Sequence, residues 1–441
     1  MADDQGWGDM GYNGHPILKT PHFDAMAAEG LRFDHFYAAA PVCTPTRGSV
    51  MTGRHPNRFG CFKWGWTLRP QEVTVAEALQ TAGYATGHFG KWHLGSVQAD
   101  SPVSPGNSGF DHWVSAPNFF ENNPTLSREG KAEEFKGESS EVTVDLALEF
   151  LKEQVEAEKP FLAVVWFGSP HKPHIASEED FAAFPDQDKK MRNFLGELRG
   201  MDRAFGKLRG ALGEMGIREN TLLWYCSDNG GLPEVGRTGG RGNKGQVWEG
   251  GLRVPAVLEW PAVLKAPAAT DMPCITSDIL PTVLAAAGVE HPTDYPLDGT
   301  SLLPLLSGDT VDRGTGIGFW DYPAKGVGTP SEEMMQKLLK AQQAGEPSPI
   351  AEFKRMDAAE LPEPWAEDHR PGHAAWLAWP WKLHRIPVKD HVKYALYNLE
   401  ADPMESDDLL KKEPDRAGDM KAALAAWQDA VAASYNGEDY R

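Results

Sequence analysis

The sequence predicts an α/β fold in which a mainly parallel sheet is covered by helices on both faces, and three observations carry that prediction. Residues 160–167 and 221–226 are nearly continuous apolar runs, the pattern of strands buried on both sides. Each follows a long helical segment, about 140–158 and roughly 189–215, so helix and strand alternate as parallel sheets require. Each run then stops at a polar segment, Ser169-Pro170-His171-Lys172-Pro173-His174 in one case and Ser227-Asp228-Asn229-Gly230-Gly231 in the other. In such sheets ligands bind beyond the carboxyl ends of the strands.

Taken in order, the chain opens on adjacent carboxylates, Asp3 and Asp4, with Gly6 and Gly8 behind them to let the backbone turn. Neighbouring side chains on a strand point to opposite faces, so both can reach one ion only where a strand is ending. Thr20 and Pro21 start a helix that Gly30 stops. The stretch Pro41-Val42-Cys43-Thr44-Pro45-Thr46-Arg47-Gly48-Ser49 shows almost no helix-forming character until Gly48 is passed. Thr74 and Glu77 make a capping box whose helix runs to Gly83, and 84–90 reads as a strand opening into Lys91-Trp92-His93-Leu94-Gly95. Lys91, His93, His171, Asp228 and Asn229 therefore all follow predicted strands and gather along one sheet edge. The glycine-rich stretch 239–245, which carries Lys244, reads as a loop, and Glu249 and Arg253 beyond it as residues that fix that loop. A helix is expected over 278–288.

The length exceeds what a single core fills, and the expected partition is a main domain 1–310, an insertion or linker 311–373 and a C-terminal subdomain 374–441. The insertion holds one helix near 331–344 and lies over the surface, either at the rim of the site or as a plain excursion. The small α+β subdomain has two strands, 375–384 and 394–399, in an antiparallel sheet, and a closing helix near 417–434.

Composition narrows the function. A formal charge of −20 argues against nucleic acid as a partner and leaves any anion site as a local basic pocket. No run of about 18 apolar residues exists, which argues against a membrane span. The four cysteines, Cys43, Cys61, Cys226 and Cys274, form neither a disulfide framework nor a zinc pattern, and Cys226 and Cys274 read as core residues. His88, His174 and Trp64 read as packing or rim positions.

Cys43-x-Pro45-Thr46-Arg47, followed by Thr52-Gly53-Arg54, resembles the maturation signal of the type I sulfatases, whose cysteine is oxidised after synthesis to the aldehyde formylglycine. Gly90-Lys91-Trp92-His93-Leu94-Gly95 resembles a second motif of that family, and 109–113 with 117–120 are similar to its arylsulfatase A and N-acetylgalactosamine-6-sulfatase branch. The resemblance implies an alkaline-phosphatase-like core and a calcium ion held by Asp3, Asp4, Asp228 and Asn229, with the modified Cys43 facing it. It further implies that Arg47 holds the formylglycine hydrate, Lys91 contacts sulfate, His93 serves the hydrate, and His171 and Lys244 bind sulfate and assist the leaving oxygen. A sulfated carbohydrate substrate, a formylglycine-generating maturation enzyme and export to a periplasmic, extracellular or lysosomal compartment follow from the same kinship. In the family a buried apolar strand precedes the two aspartates. None stands ahead of Asp3 here, and the expectation is that upstream residues supply the strand and any export signal.

The residues support this chemistry on their own terms. Asp3, Asp4, Asp228 and Asn229 are hard oxygen donors, suited to calcium or magnesium rather than zinc or copper. Cleaving a sulfate ester requires neutralised charge, a nucleophile and a proton for the departing oxygen. Arg47, Lys91 and Lys244 offer the charge, and His93 and His171 the proton transfer. Two rivals stay open: a phosphonate monoester or phosphodiester hydrolase using the same modified cysteine, and a non-catalytic glycan-binding protein in which Cys43 stays a thiol.

Overall fold

The alternating pattern folds as its periodicity demands in the computed structural model of the chain, which describes every residue except 265–266, 310–311, 350–364, 366–369 and 390. Helix α1 (Pro21–Glu29), strands β1 (Leu31–Phe33) and β2 (Phe36–Tyr37), and helices α2 (Cys43–Thr52) and α3 (Val75–Gln80) lead to β3 (Ala85–Lys91). Next come β4 (His112–Ala116), β5 (Thr125–Arg128), β6 (Lys131–Glu134), α4 (Ser139–Glu156), β7 (Phe161–Trp166), α5 (Glu178–Ala182), α6 (Lys189–Glu214) and β8 (Leu223–Cys226). The chain continues through α7 (Glu249–Leu252), β9 (Arg253–Val254), β10 (Ala256–Glu259), β11 (Ala268–Thr270), β12 (Cys274–Ile275), α8 (Ile279–Ala287) and α9 (Leu303–Leu306). It closes with β13 (Ile317–Asp321), α10 (Ser331–Ala344), β14 (His373–Ala378), β15 (Trp381–Val388), β16 (His391–Asn398) and α11 (Pro414–Tyr435).

The central sheet consists of two halves, ordered β6-β5-β4-β3-β7 and β8-β10-β1-β11. It is parallel at β4-β3-β7, while β8-β10-β1 and β4-β5-β6 run antiparallel. Residues 1–3 join the halves. The Met1 amino group donates to Val165 O (2.8 Å), Phe167 N to Met1 O (3.0 Å), Ala2 N to Cys226 O (2.9 Å) and Asp3 N to Ser169 O (3.0 Å). Below that junction β7 and β8 each pair on one side only, and a cavity of about 620 Å³ opens between them, lined by Leu162, Val164, Leu212, Leu222, Trp224 and Val283 among others. Several residues of β7 and β8 are therefore half-buried, although their composition suits full burial on both faces.

Two local expectations change. The stretch 41–49 is helical from Cys43 onward. Pro45 sits in the first turn, where a backbone N–H has no helical partner to lose, and the Thr46 hydroxyl donates to Ala40 O (2.9 Å). The run 375–384 is two strands, because Trp379 and Pro380 turn the chain between β14 and β15, and β13 joins them to give the antiparallel order β13-β14-β15-β16. The capping box forms as expected, with the Thr74 hydroxyl accepting from Glu77 N and Thr74 N donating to Glu77 Oε2. Helix α11 is tied back to the core through Asp298, which accepts from Arg58 Nε (2.7 Å) and Trp427 Nε1 (2.9 Å).

Candidate active site

The carboxyl ends of β3, β7 and β8 face the start of α2, and this geometry brings all of the expected site residues together. Lys91 is the last residue of β3, His93 follows two positions on, and His171, Asp228 and Asn229 lie just past β7 and β8. Asp3 and Asp4 leave the junction between the two half-sheets, with Asp4 in the left-handed region (φ 69°). Cys43 is the first residue of α2, and Arg47 projects from the next turn of that helix. Lys244 arrives from the glycine-rich loop, which is held by Lys244 N to Gly231 O (3.0 Å) and Gly245 N to Pro41 O (2.8 Å).

Charged contacts knit the cluster. Arg47 donates twice to Asp228 Oδ2, from Nη2 (2.7 Å) and Nε (3.0 Å), and its guanidinium lies over the Trp166 ring at 4.9 Å. Lys91 Nζ donates to Asp3 Oδ2 (2.6 Å) and Lys244 Nζ to Asp4 Oδ2 (2.7 Å). Asn229 Nδ2 donates to Asp4 Oδ1 (2.9 Å), and Asp4 N to Asp228 Oδ1 (3.1 Å). His171 Nδ1 meets Lys172 O at 2.6 Å, and a carbonyl only accepts, so that nitrogen carries the proton. Nε2 is left facing Asp4 Oδ2 at 3.6 Å.

Burial dominates the electrostatics. It pushes the Asp3 carboxyl up to about 7, against the pull of Lys91. Burial acts the same way on Asp4, but Lys244 and His171 outweigh it and hold Asp4 well below the usual carboxylate range. The Cys43 thiol is raised by burial, with Lys91 and Lys244 opposing, so it is no thiolate nucleophile as it stands. Burial, together with nearby cations, lowers His93 far below the ordinary histidine value. Burial likewise lowers His171, although Asp4 pulls the other way. Both imidazoles are therefore neutral.

The oxygen donors have room for a hard cation. One potential ligand atom each from Asp3, Cys43 and Asp228 lies within 4.8 Å of the others, and the same holds for Asp3, Asp4 and His171. Asp3 Oδ1 and Asn229 Oδ1 are buried without a hydrogen-bond partner, Arg47 Nη2 lying 3.9 Å from the former. Buried unmade bonds of this kind cost ~1–3 kcal/mol each, and a cation coordinating both oxygens would remove that cost.

The sulfatase family model matches residues 1–289, the part of the chain that holds every one of these groups. The chain belongs to the sulfatase family. It is 34% identical to human N-acetylgalactosamine-6-sulfatase over 359 residues, an alignment covering 71% of this chain and 66% of that protein. Human arylsulfatase A is 34% identical over 346 residues, covering 70% and 67%. The chain thus spans just under two thirds of the N-acetylgalactosamine-6-sulfatases it matches. Among solved structures, Ps i-CgsB in complex with k-i-k-neocarrahexaose superposes with a TM-score of 0.81 at 24% identity, over 99% of this chain and 93% of that one. The fold is accordingly the alkaline-phosphatase-like one of the sulfatases.

This sulfatase-family site has contributors that the sequence did not reveal. Trp166 underlies Arg47, Thr44 beside Cys43 accepts from Gly65 N (3.0 Å), and the Thr329 hydroxyl lies 3.5 Å from His93 Nε2. Phe119 stacks on His171 with centroids 4.2 Å apart. Only Phe119 had a signal, in the branch-like segment 117–120. Glu249 is buried and pairs with Lys382 (2.8 Å), and Arg253 donates to Gly239 O of the loop (3.4 Å) as well as to Asp34 O (2.9 Å), with its guanidinium over the Trp7 ring, both in keeping with a loop-fixing role. His88 is a packing residue among Trp92, Phe110 and Trp166, and Cys61, Cys226 and Cys274 are buried.

Proposed function

We propose that the chain is a sulfuric ester hydrolase that removes sulfate from a sulfated sugar, using calcium and a formylglycine made from Cys43. The observation that carries this reading is the convergence of Arg47, Lys91 and Lys244 on a buried cysteine, beside acidic donors whose oxygens Asp3 Oδ1 and Asn229 Oδ1 are unpartnered. Asp3, Asp4, Asp228, Asn229 and the modified residue 43 would hold the calcium, which supplies positive charge for the sulfate oxygens. Formylglycine supplies an oxygen nucleophile where the raised thiol of Cys43 offers a poor one.

The remaining roles belong to the chain's own side chains. Lys91 and Lys244 bind and orient the sulfate through their ammonium groups. Arg47, fixed by Asp228 and by the Trp166 face, holds residue 43 in place. His171 has Nδ1–H committed to Lys172 O, so the neutral ring offers Nε2 as an acceptor, which first takes up a proton from solvent and then passes it to the departing sugar oxygen. Because burial makes its imidazolium a strong acid, that proton is given up readily. His93, whose Nδ1 is unpartnered, takes the proton released at residue 43. Kinship with the N-acetylgalactosamine-6-sulfatases supports a sulfated sugar as substrate, and kinship with exported enzymes supports export and a dedicated maturation enzyme.

The test is sulfate release from a panel of sulfated monosaccharides by protein whose Cys43 peptide has the mass of formylglycine, beside Cys43→Ala. Release that falls at least about a thousandfold in the variant is the expected result. Activity that survives Cys43→Ala, or a strong preference for an aryl phosphonate over an aryl sulfate, overturns the reading.

A further inference from the structure

Between β13 and α10 the chain runs as an extended strap, 322–330, and its contacts close a ring around the mouth of the candidate site. On one side, Val327 N donates to Trp64 O (2.9 Å), and Gly65 N donates to the hydroxyl of Thr44, the neighbour of Cys43 (3.0 Å). Gly65 has φ 75°, and a Cβ there would lie 2.0 Å from Val327 O, so only glycine lets the strap approach this closely. On the other side, the Thr329 hydroxyl lies 3.5 Å from His93 Nε2, and Asn118 Nδ2 donates to Thr329 O (3.1 Å). Phe119, next along from Asn118, stacks on His171. Unbroken contact therefore runs from Cys43 through Trp64, the strap and Phe119 to His171.

The ring is buried at its inner contacts and open along the strap, where Pro323, Lys325, Gly328 and Pro330 are exposed. Thr329 and Asn118 are 6% and 8% exposed, whereas the Trp64 indole, packed against Gly326 of the strap, is 45% exposed. The Trp66 indole is by contrast tethered, with Nε1 donating to Lys325 O (3.0 Å), and an ion pair between Lys63 and Asp321 pins the base of the strap. A large aromatic face packed against the strap and left open to solvent suits a ligand with an apolar face. A pyranose ring offers one in its axial C–H bonds, and its hydroxyls stay wet.

We propose that the 322–330 strap and Trp64 form the wall that receives the sugar ring of the substrate, so that they select the leaving alcohol while Lys91 and Lys244 select the sulfate. This rests on the sulfatase reading above and deepens it. Trp64 is a specificity-determining residue, and its loss weakens the sugar and not the sulfate.

The experiment uses Trp64→Ala and Trp64→Phe in the full chain with formylglycine at residue 43. The substrate is whichever of N-acetylgalactosamine 6-sulfate, N-acetylglucosamine 6-sulfate and galactose 6-sulfate the wild type cleaves best. Two product inhibitors accompany it, inorganic sulfate and the matching desulfated sugar. For Trp64→Ala, kcat/KM should fall about tenfold or more, chiefly through KM, and the inhibition constant of the desulfated sugar should rise by a similar factor. The constant for inorganic sulfate should move less than about threefold, and Trp64→Phe should recover most of the loss. A wild type that releases sulfate from none of the three sugars defeats the sugar-sulfatase reading and this inference with it. With an active wild type, an unchanged Trp64→Ala, or one that loses sulfate and sugar affinity equally, defeats the wall alone.

Discussion

Two buried clusters of charge flank the loop that carries Lys244, and they are finished differently. Toward the C-terminal sheet, Lys382 Nζ donates to Glu249 Oε1 (2.8 Å) and Glu405 Oε1 (3.2 Å), and His384 Nε2 meets the same Glu405 oxygen at 2.7 Å. Glu249 N donates to Glu405 Oε2 (2.8 Å), Tyr37 donates to Glu249 Oε2 (3.0 Å), and His384 Nδ1 meets His373 Nε2 (2.9 Å). Every polar side-chain atom of this quartet has a partner. The candidate active site is charged and largely buried too, with Lys244 and His171 partly exposed, yet Asp3 Oδ1, Asn229 Oδ1 and His93 Nδ1 have no hydrogen-bond partner. The difference separates charge that holds a fold from charge that waits for a ligand: the closed cluster is complete without any addition, and the open one is not. They are also linked, since Arg241 Nη1 donates to Glu405 O (3.0 Å) and so seats the Lys244 loop on the closed cluster.

The comparison breaks most sharply at Lys382. Lys382→Met leaves Glu249 and Glu405 buried without their cation and should cost about 3–5 kcal/mol in urea unfolding, equally with and without calcium. A loss below about 1 kcal/mol would mean that the cation does not hold the closed cluster together. Calcium should act on the open cluster alone: at a hundredfold excess over its Kd it should add about 2.7 kcal/mol to the wild type and almost nothing to Asn229→Ala. A wild type that calcium leaves unmoved would assign those unpartnered oxygens to something other than this ion.

Asp9 sharpens the contrast as an intermediate case, buried and accepting from Gly6 N (2.9 Å) and Arg237 N (2.8 Å), with no ion pair among the described residues. Burial pushes it up to about 7, against those hydrogen bonds. The folded protein therefore keeps a proton that the unfolded chain has already lost, and rising pH favours unfolding. Asp9 should lower stability by up to ~1.4 kcal/mol for each pH unit between about 4 and 7, and Asp9→Asn should flatten that slope in urea titrations at several pH values.

The parts of this molecule that sequence discloses are those whose chemistry is local. Thr74 and Glu77 sit three residues apart and cap their helix through each other, and 331–344 is amphipathic within itself, so both were legible. Asp228 and Lys91 were legible because a parallel strand delivers whatever follows it to the same edge. The strap was not, because Thr329 reaches His93 across 236 residues of sequence and nothing around Thr329 records it. Nor was the break at Trp379-Pro380, since the apolar run on either side satisfies a single strand as well as a hairpin. Glu405 illustrates the limit most clearly: in sequence it belongs to a polar turn, and in the fold it is wholly buried because Lys382 and His384 surround it.

The seating of the Lys244 loop sets a timetable for Cys43. That residue is 2% exposed and begins a helix with no exposed position, so on the formylglycine reading proposed above an oxidising enzyme would have to act on it before the fold closes. The loop that carries Lys244 is seated through Arg241 on Glu405, a residue made long after Cys43. With translation at ~5–20 residues per second, the roughly 360 residues between them give the enzyme about 20–70 seconds. On that reading conversion would be a race between synthesis and modification, and slower elongation downstream of Cys43 would favour the modifying enzyme.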